Sequence, residues 1–170
     1  MNIPWKTWIH AGVGAGVYLS LGVGCASVPI RSPQGAHRPS YGLYMRGLML
    51  ERSTQLTDAL DAYQQALEHD QDSPFLHVRV GATQVKLGKT QQALKSFQRA
   101  LSLEPSQPDA LRWMAMLHTS QGQIDEAIRM YERLGQQEPA DRFVLSTLAD
   151  LYVLQGRLEE AIRMYERLID

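Results

Sequence analysis

An all-α solenoid of stacked antiparallel helix pairs is the fold class that this sequence predicts, and three observations predict it. The nine residues EAIRMYERL at 126–134 recur letter for letter at 160–168. The offset between them, 34 positions, holds without insertion from Ser40 to the end of the chain. Within each period, small and aromatic residues return at fixed places. A period of roughly 20 to 50 residues is the signature of a stacked repeat architecture.

The first element stands apart from the array. The chain opens MNIPWKTWIHAGVGAGVYLSLGVGCASVP, with Lys6 ahead of an apolar run from about Trp8 to Val23. That run closes on small residues just before Cys25, the single cysteine. A positive start, an apolar middle and a small-residue exit describe a secretory signal peptide. With a cysteine at the exit, the segment resembles a bacterial lipoprotein signal. The resemblance implies that residues 1–24 are removed and that Cys25 becomes the lipidated first residue. Val23 and Gly24 fit it; Gly22 stands where such signals usually carry Leu, and Leu21 falls one place early. The alternative is an uncleaved membrane anchor, because from Trp8 to Ile30 only His10, Ser20 and Ser27 interrupt the apolar and small residues. The stretch GVGAGV is not a dinucleotide-binding loop, since its third glycine comes one place early and no strand precedes it.

Residues 25–39 form a tether. Pro29, Pro33 and Pro39, with two serines and a glycine, leave no apolar period, and proline both fixes φ and removes a backbone donor. From Ser40 onward there are 18 acidic residues against 14 Lys and Arg, a net charge near −4. Non-specific nucleic-acid binding needs clustered positive charge, so that partner class is excluded.

The array divides into units 40–73, 74–107, 108–141 and an incomplete 142–170. Counted within a unit, position eight is Gly47, Gly81, Ala115 and Ala149; position fifteen is Thr54, Gly88, Gly122 and Gly156. Position twenty is always alanine, and position twenty-four is Tyr63, Phe97, Tyr131 or Tyr165. Position thirty-two is Gln71, then Pro105 and Pro139. Ala127, Tyr131 and Leu134 share one helix face, at i, i+4 and i+7. Small residues at eight and twenty let two helices approach closely, and the aromatic fills the space beside them. Glycine at fifteen ends the first helix in the left-handed conformation, and proline at thirty-two ends the second. One pair buries little alone, so neighbours must stack.

This small–aromatic–small pattern, registered four times, resembles the tetratricopeptide repeat over about three quarters of the chain. The identical nine residues then mark the second helices of the last two units, and their matching exposed positions, Arg129/Arg163 and Arg133/Arg167 among them, indicate a tandem duplication.

Catalytic chemistry is not indicated. No histidine has metal-ligand spacing with another His, Cys or carboxylate, and no serine lies in a G-x-S-x-G setting. The sequence therefore predicts no enzyme, no cofactor and no metal. The resemblance implies instead a concave binding face built by the first helices, with Tyr44, Leu48, Phe75, Val78, Arg79, Arg112, Trp113 and Met116 as the peptide groove. Aromatics, Met and Arg are the residue types that carry interface energy. Family members that bind chaperone C-termini hold the terminal carboxylate with Lys and Asn where this chain has Tyr44 and Leu48, so an apolar peptide or helix is the expected ligand.

The expectation is a membrane-tethered scaffold of the bacterial cell envelope, an outer-membrane lipoprotein facing the periplasm, with an unidentified protein partner. An uncleaved signal-anchored adaptor is the alternative, as is the N-terminal part of a longer repeat protein whose activity lies elsewhere. Tyr165, Leu168 and Ile169 are expected to face the place of a next unit, to be covered there by the continuation of a longer array, the favoured reading, by end-to-end self-association of two copies, or by a capping partner.

Overall fold

The computed structural model describes residues 39–169, and the expected signal segment and Cys25 lie outside them. Among the described residues there are eight helices and no strand. They are α1 (Pro39–Arg52), α2 (Leu56–His69), α3 (Pro74–Lys86), α4 (Thr90–Leu103), α5 (Pro108–Ser120), α6 (Ile124–Gln137), α7 (Arg142–Leu154) and α8 (Leu158–Ile169). Each helix packs on its chain neighbours, most extensively within the pairs α1–α2, α3–α4, α5–α6 and α7–α8. The sequence places Pro39 in the tether, but it opens α1 instead. Proline suits a first helical turn, where its missing N–H has no intrahelical partner to lose.

The punctuation follows the period. Gly88, Gly122 and Gly156 sit at φ of 73°, 71° and 73° and turn each first helix into its second. Thr54 holds the same place in the first unit at φ 61°, a conformation that a β-branched residue adopts only under strain. The residue that closes a unit caps the next helix. The Ser73 hydroxyl accepts from the Leu76 N–H, the Gln107 amide oxygen from Ala110, and the Asp141 carboxylate from Phe143 and Val144. Such caps satisfy backbone donors that a helix start leaves bare.

Within a pair, the alanines at position twenty are buried in all four units. A side chain on Gly81 would place its Cβ 2.6 Å from the Phe97 ring, and Gly47 stands as close to Tyr63. In the first two units, helix-to-helix approach is thus set by the aromatic packed against the glycine at position eight. The buried residues gather in three clusters, around Tyr63, around Phe97 and around Tyr131.

The repeated arginines are not idle surface charge. Arg99, Arg133 and Arg167 occupy position twenty-six, and each reaches back to the loop ahead of its own unit. Arg99 pairs with Asp72 at 3.0 Å, Arg133 donates to the Pro105 carbonyl, and Arg167 donates to the Pro139 carbonyl at 2.7 Å. Glu132 accepts the Tyr152 hydroxyl at 2.6 Å. Contacts between units therefore constrain positions that the sequence alone assigns to solvent.

Candidate interaction surface

Two open pockets lie between α1 and α3. One, of about 290 Å³, lies between the starts of α1 and α3 and is lined by Tyr41, Tyr44, Phe75 and Leu76, with Ser40, Asp70 and Ser73 at its edge. Tyr44 is half-buried, 6.0 Å from the Tyr63 ring and edge-on to Phe75 at 5.1 Å. Phe75 itself remains exposed. The other pocket, about 350 Å³, is polar apart from Leu48 and is lined by Glu51, Arg52, Arg79 and Lys86.

Glu51 organises that second pocket. It accepts the Tyr63 hydroxyl at 2.8 Å and pairs with both Arg79 and Lys86, so α1, α2 and α3 meet at one carboxylate. Burial alone would raise its pKa, but the hydrogen bonds from Lys86 and Tyr63 and the charge of Arg79 outweigh burial and hold it below the usual value. Burial pushes the Tyr63 hydroxyl up to about 12. Arg79 also lies over the Tyr63 ring at 5.5 Å.

Arg112 plays a similar part further along. It pairs with Glu138 at 3.1 Å and Asp141 at 3.0 Å, and lies 5.8 Å from the centre of the Phe143 ring. Burial acts to raise the Asp141 pKa, yet the Arg112 and backbone hydrogen bonds keep it low. Trp113 is half-buried and stacks on Phe97, centroids 6.0 Å apart and planes within 6°. Met116 is exposed.

Of the eight groove residues expected from sequence, Val78 is not available to a ligand. It is buried in the cluster with Phe97, Ala100 and Met114, because position five of this unit turns toward the next first helix. Arg79 and Arg112 are on the surface but already engaged by acids. Sequence reasoning missed those acids, Glu51, Glu138 and Asp141; the available signal was an acidic residue at position twelve of one unit facing two cations, at six and thirteen, of the next. No group of three His, Cys, Asp or Glu among the described residues could hold a metal, and no described helix is long and apolar enough to cross a membrane.

Fold and surface together define a class: an all-α helical-repeat solenoid of the kind that serves as a protein-interaction scaffold. The tetratricopeptide repeat family model matches residues 84–143 and 119–170, and the chain belongs to that family. No curated protein matches it. Solved structures with the same fold include MamA, with a TM-score of 0.69 at 21% identity over 76% of each chain. Another is YrrB, a repeat protein with an unusual peptide-binding site; its TM-score is 0.63 at 23% identity, over 78% of this chain and 69% of that one. A third is the first repeat domain of Spaghetti (RPAP3) bound to the HSP90 peptide SRMEEVD, with a TM-score of 0.64 at 20% identity, over 69% of this chain and 93% of that one.

Proposed function

We propose that this protein is a membrane-tethered interaction scaffold of the bacterial cell envelope, binding an apolar peptide segment or helix on its first-helix face. The observation that carries the binding reading is the run of exposed or half-buried Tyr41, Tyr44, Phe75, Trp113 and Met116 along that face, beside cations already paired within the chain. One neighbour of the same fold is bound to a peptide and another has a peptide-binding site, which supports a peptide ligand here. Photo-crosslinking groups placed at Phe75 and Met116 in the full chain should capture the partner, and one at Arg129 on the second-helix face should not. Phe75→Ala with Met116→Ala should weaken capture at least tenfold, since hot-spot truncations cost about 2 kcal/mol each. Capture from Arg129 alone would move the site to the other face.

The tether belongs to the same proposal. The apolar run ending on Cys25 supports lipidation there, loss of residues 1–24 and residence on an outer membrane facing the periplasm. One acyl chain binds a membrane only marginally, at about 0.8 kcal/mol per buried CH₂, so firm anchoring calls for two or more. Intact-mass analysis of detergent-extracted protein should give a chain starting at lipid-bearing Cys25. A mass that retains Met1 and an unmodified cysteine would leave the uncleaved anchor.

A further inference from the structure

The polar pocket between α1 and α3 holds three cations and one acid. Arg52 of α1 and Arg79 and Lys86 of α3 line it, with Glu51 as the acid and Leu48 as the apolar residue. From Ser40 onward the chain carries a net charge near −4, so this local excess of positive charge runs against the whole. Three cations around one carboxylate repel one another, and a cleft lined by one sign of charge focuses the field left over.

The carboxylate is spent on the joint between the first two units. Glu51 accepts the Tyr63 hydroxyl on Oε2, where Arg79 also reaches it, and Lys86 on Oε1. Its side chain is 11% exposed, against 28% for Arg79 and 45% for Lys86. The acid is thus turned into the helices while the cations stay open to the pocket. An ammonium has three donors and a guanidinium five, so one carboxylate cannot occupy them all. Arg52, the next residue along, is exposed, and no carboxylate among the described residues forms an ion pair with it.

The joint between units three and four has the reverse balance. There Arg112 stands between Glu138 and Asp141, two acids for one cation, and its charge is answered within the chain. Beside the cationic pocket the face is apolar. Equivalent positions of stacked units line up, and position nine is Leu48, Ala82 and then Met116 in the first three units. Ala82 is nearly buried and Met116 is exposed, which leaves a shallow apolar path leading away from the pocket.

We propose that this pocket receives an Asp or Glu side chain of the peptide bound on the first-helix face, with Arg52 and Lys86 as its direct partners. The occupant is a partner-protein segment whose apolar residues are flanked by acidic ones, and the argument for it is charge complementarity. The inference rests on the peptide-binding reading above and narrows it. Complementarity of this kind acts on specificity, and salt weakens it.

Fluorescence anisotropy on the full chain in detergent tests it, with empty micelles as the blank. Three labelled probes share one apolar core of Leu, Met and Phe, are blocked at both termini, and carry two Glu, two Gln or two Lys at one end. The Glu probe should bind at least tenfold more tightly than the Gln probe at about 50 mM salt, and most of that advantage should vanish at about 500 mM. Arg52→Gln, which breaks no ion pair, should lower the advantage about threefold, and adding Lys86→Gln should erase it without weakening the Gln probe. Arg46→Gln, exposed but outside the pocket, should change neither. A carbodiimide, which joins a carboxylate to an amine in contact with it, should link the Glu probe to Lys86 and not to Lys95. Equal affinity for the Glu and Gln probes, or an advantage that survives both substitutions, would overturn the inference and leave the apolar groove standing. A Glu preference that persists while Phe75→Ala with Met116→Ala weakens no probe would support the pocket and sink the groove. Binding of no probe at about 100 µM protein would overturn both.

Discussion

Residues 126–134 and 160–168 are the same nine letters in two surroundings. In α6, Ile128 and Tyr131 are 3% and 2% exposed; in α8, Ile162 and Tyr165 are 55% and 40% exposed. Ala127 and Ala161, which face the partner helix of their own unit, are buried in both. The difference between the copies is therefore the presence of α7 on one of them. Half of a second helix's apolar face is satisfied within its unit, and the other half belongs to the joint. Stability in such a fold resides in interfaces as much as in units.

The sharpest way to break that comparison is to truncate the same residue twice. Tyr131→Ala should cost about 3–5 kcal/mol, the usual penalty for emptying a buried aromatic site. Tyr165→Ala should cost less than about 1 kcal/mol, as for surface changes, in urea unfolding at low micromolar concentration. Equal losses would mean that α8 is covered in dilute solution.

A smaller effect sharpens the comparison at the other terminus. Thr54 takes at φ 61° the turn that glycine makes in the other three units. Thr54→Gly removes a left-handed penalty of about 1–2 kcal/mol but frees the unfolded chain. The net gain should be no more than about 1 kcal/mol, read as a small rise in the unfolding midpoint. A loss of stability would show that the Thr54 hydroxyl, bonded to the Ser53 carbonyl, outweighs the strain.

The helix pairs were legible in the sequence because packing repeats: position eight must be small where position twenty-four is aromatic, and Gly88, Gly122 and Gly156 mark the turns. What escaped depends on partners far along the chain. The reach of Arg133 to Pro105 spans 28 residues and has no period within a helix, so it looked like a solvated charge. Val78 was assigned to the groove because its register is that of a first-helix face, while its burial depends on α5 crossing α3. Tyr165 and Ile169 were foreseen as open and are exposed. Leu168 is partly covered by its own unit, and the larger contribution of Ile162 was missed, since a duplicated sequence does not say which copy is left bare.

Neighbour-only packing also sets the order in which the molecule comes apart and reassembles. Nearly every tertiary contact joins elements adjacent in the chain, so closing a contact never requires a loop longer than about one unit. Low contact order of this kind favours folding within milliseconds, and lengthening the array would add contacts without lengthening loops. Opening runs the other way, from whichever end has fewest neighbours. Amide exchange should therefore be fastest in α8 and slowest around α4 to α6, giving the solenoid a graded clock from rim to centre.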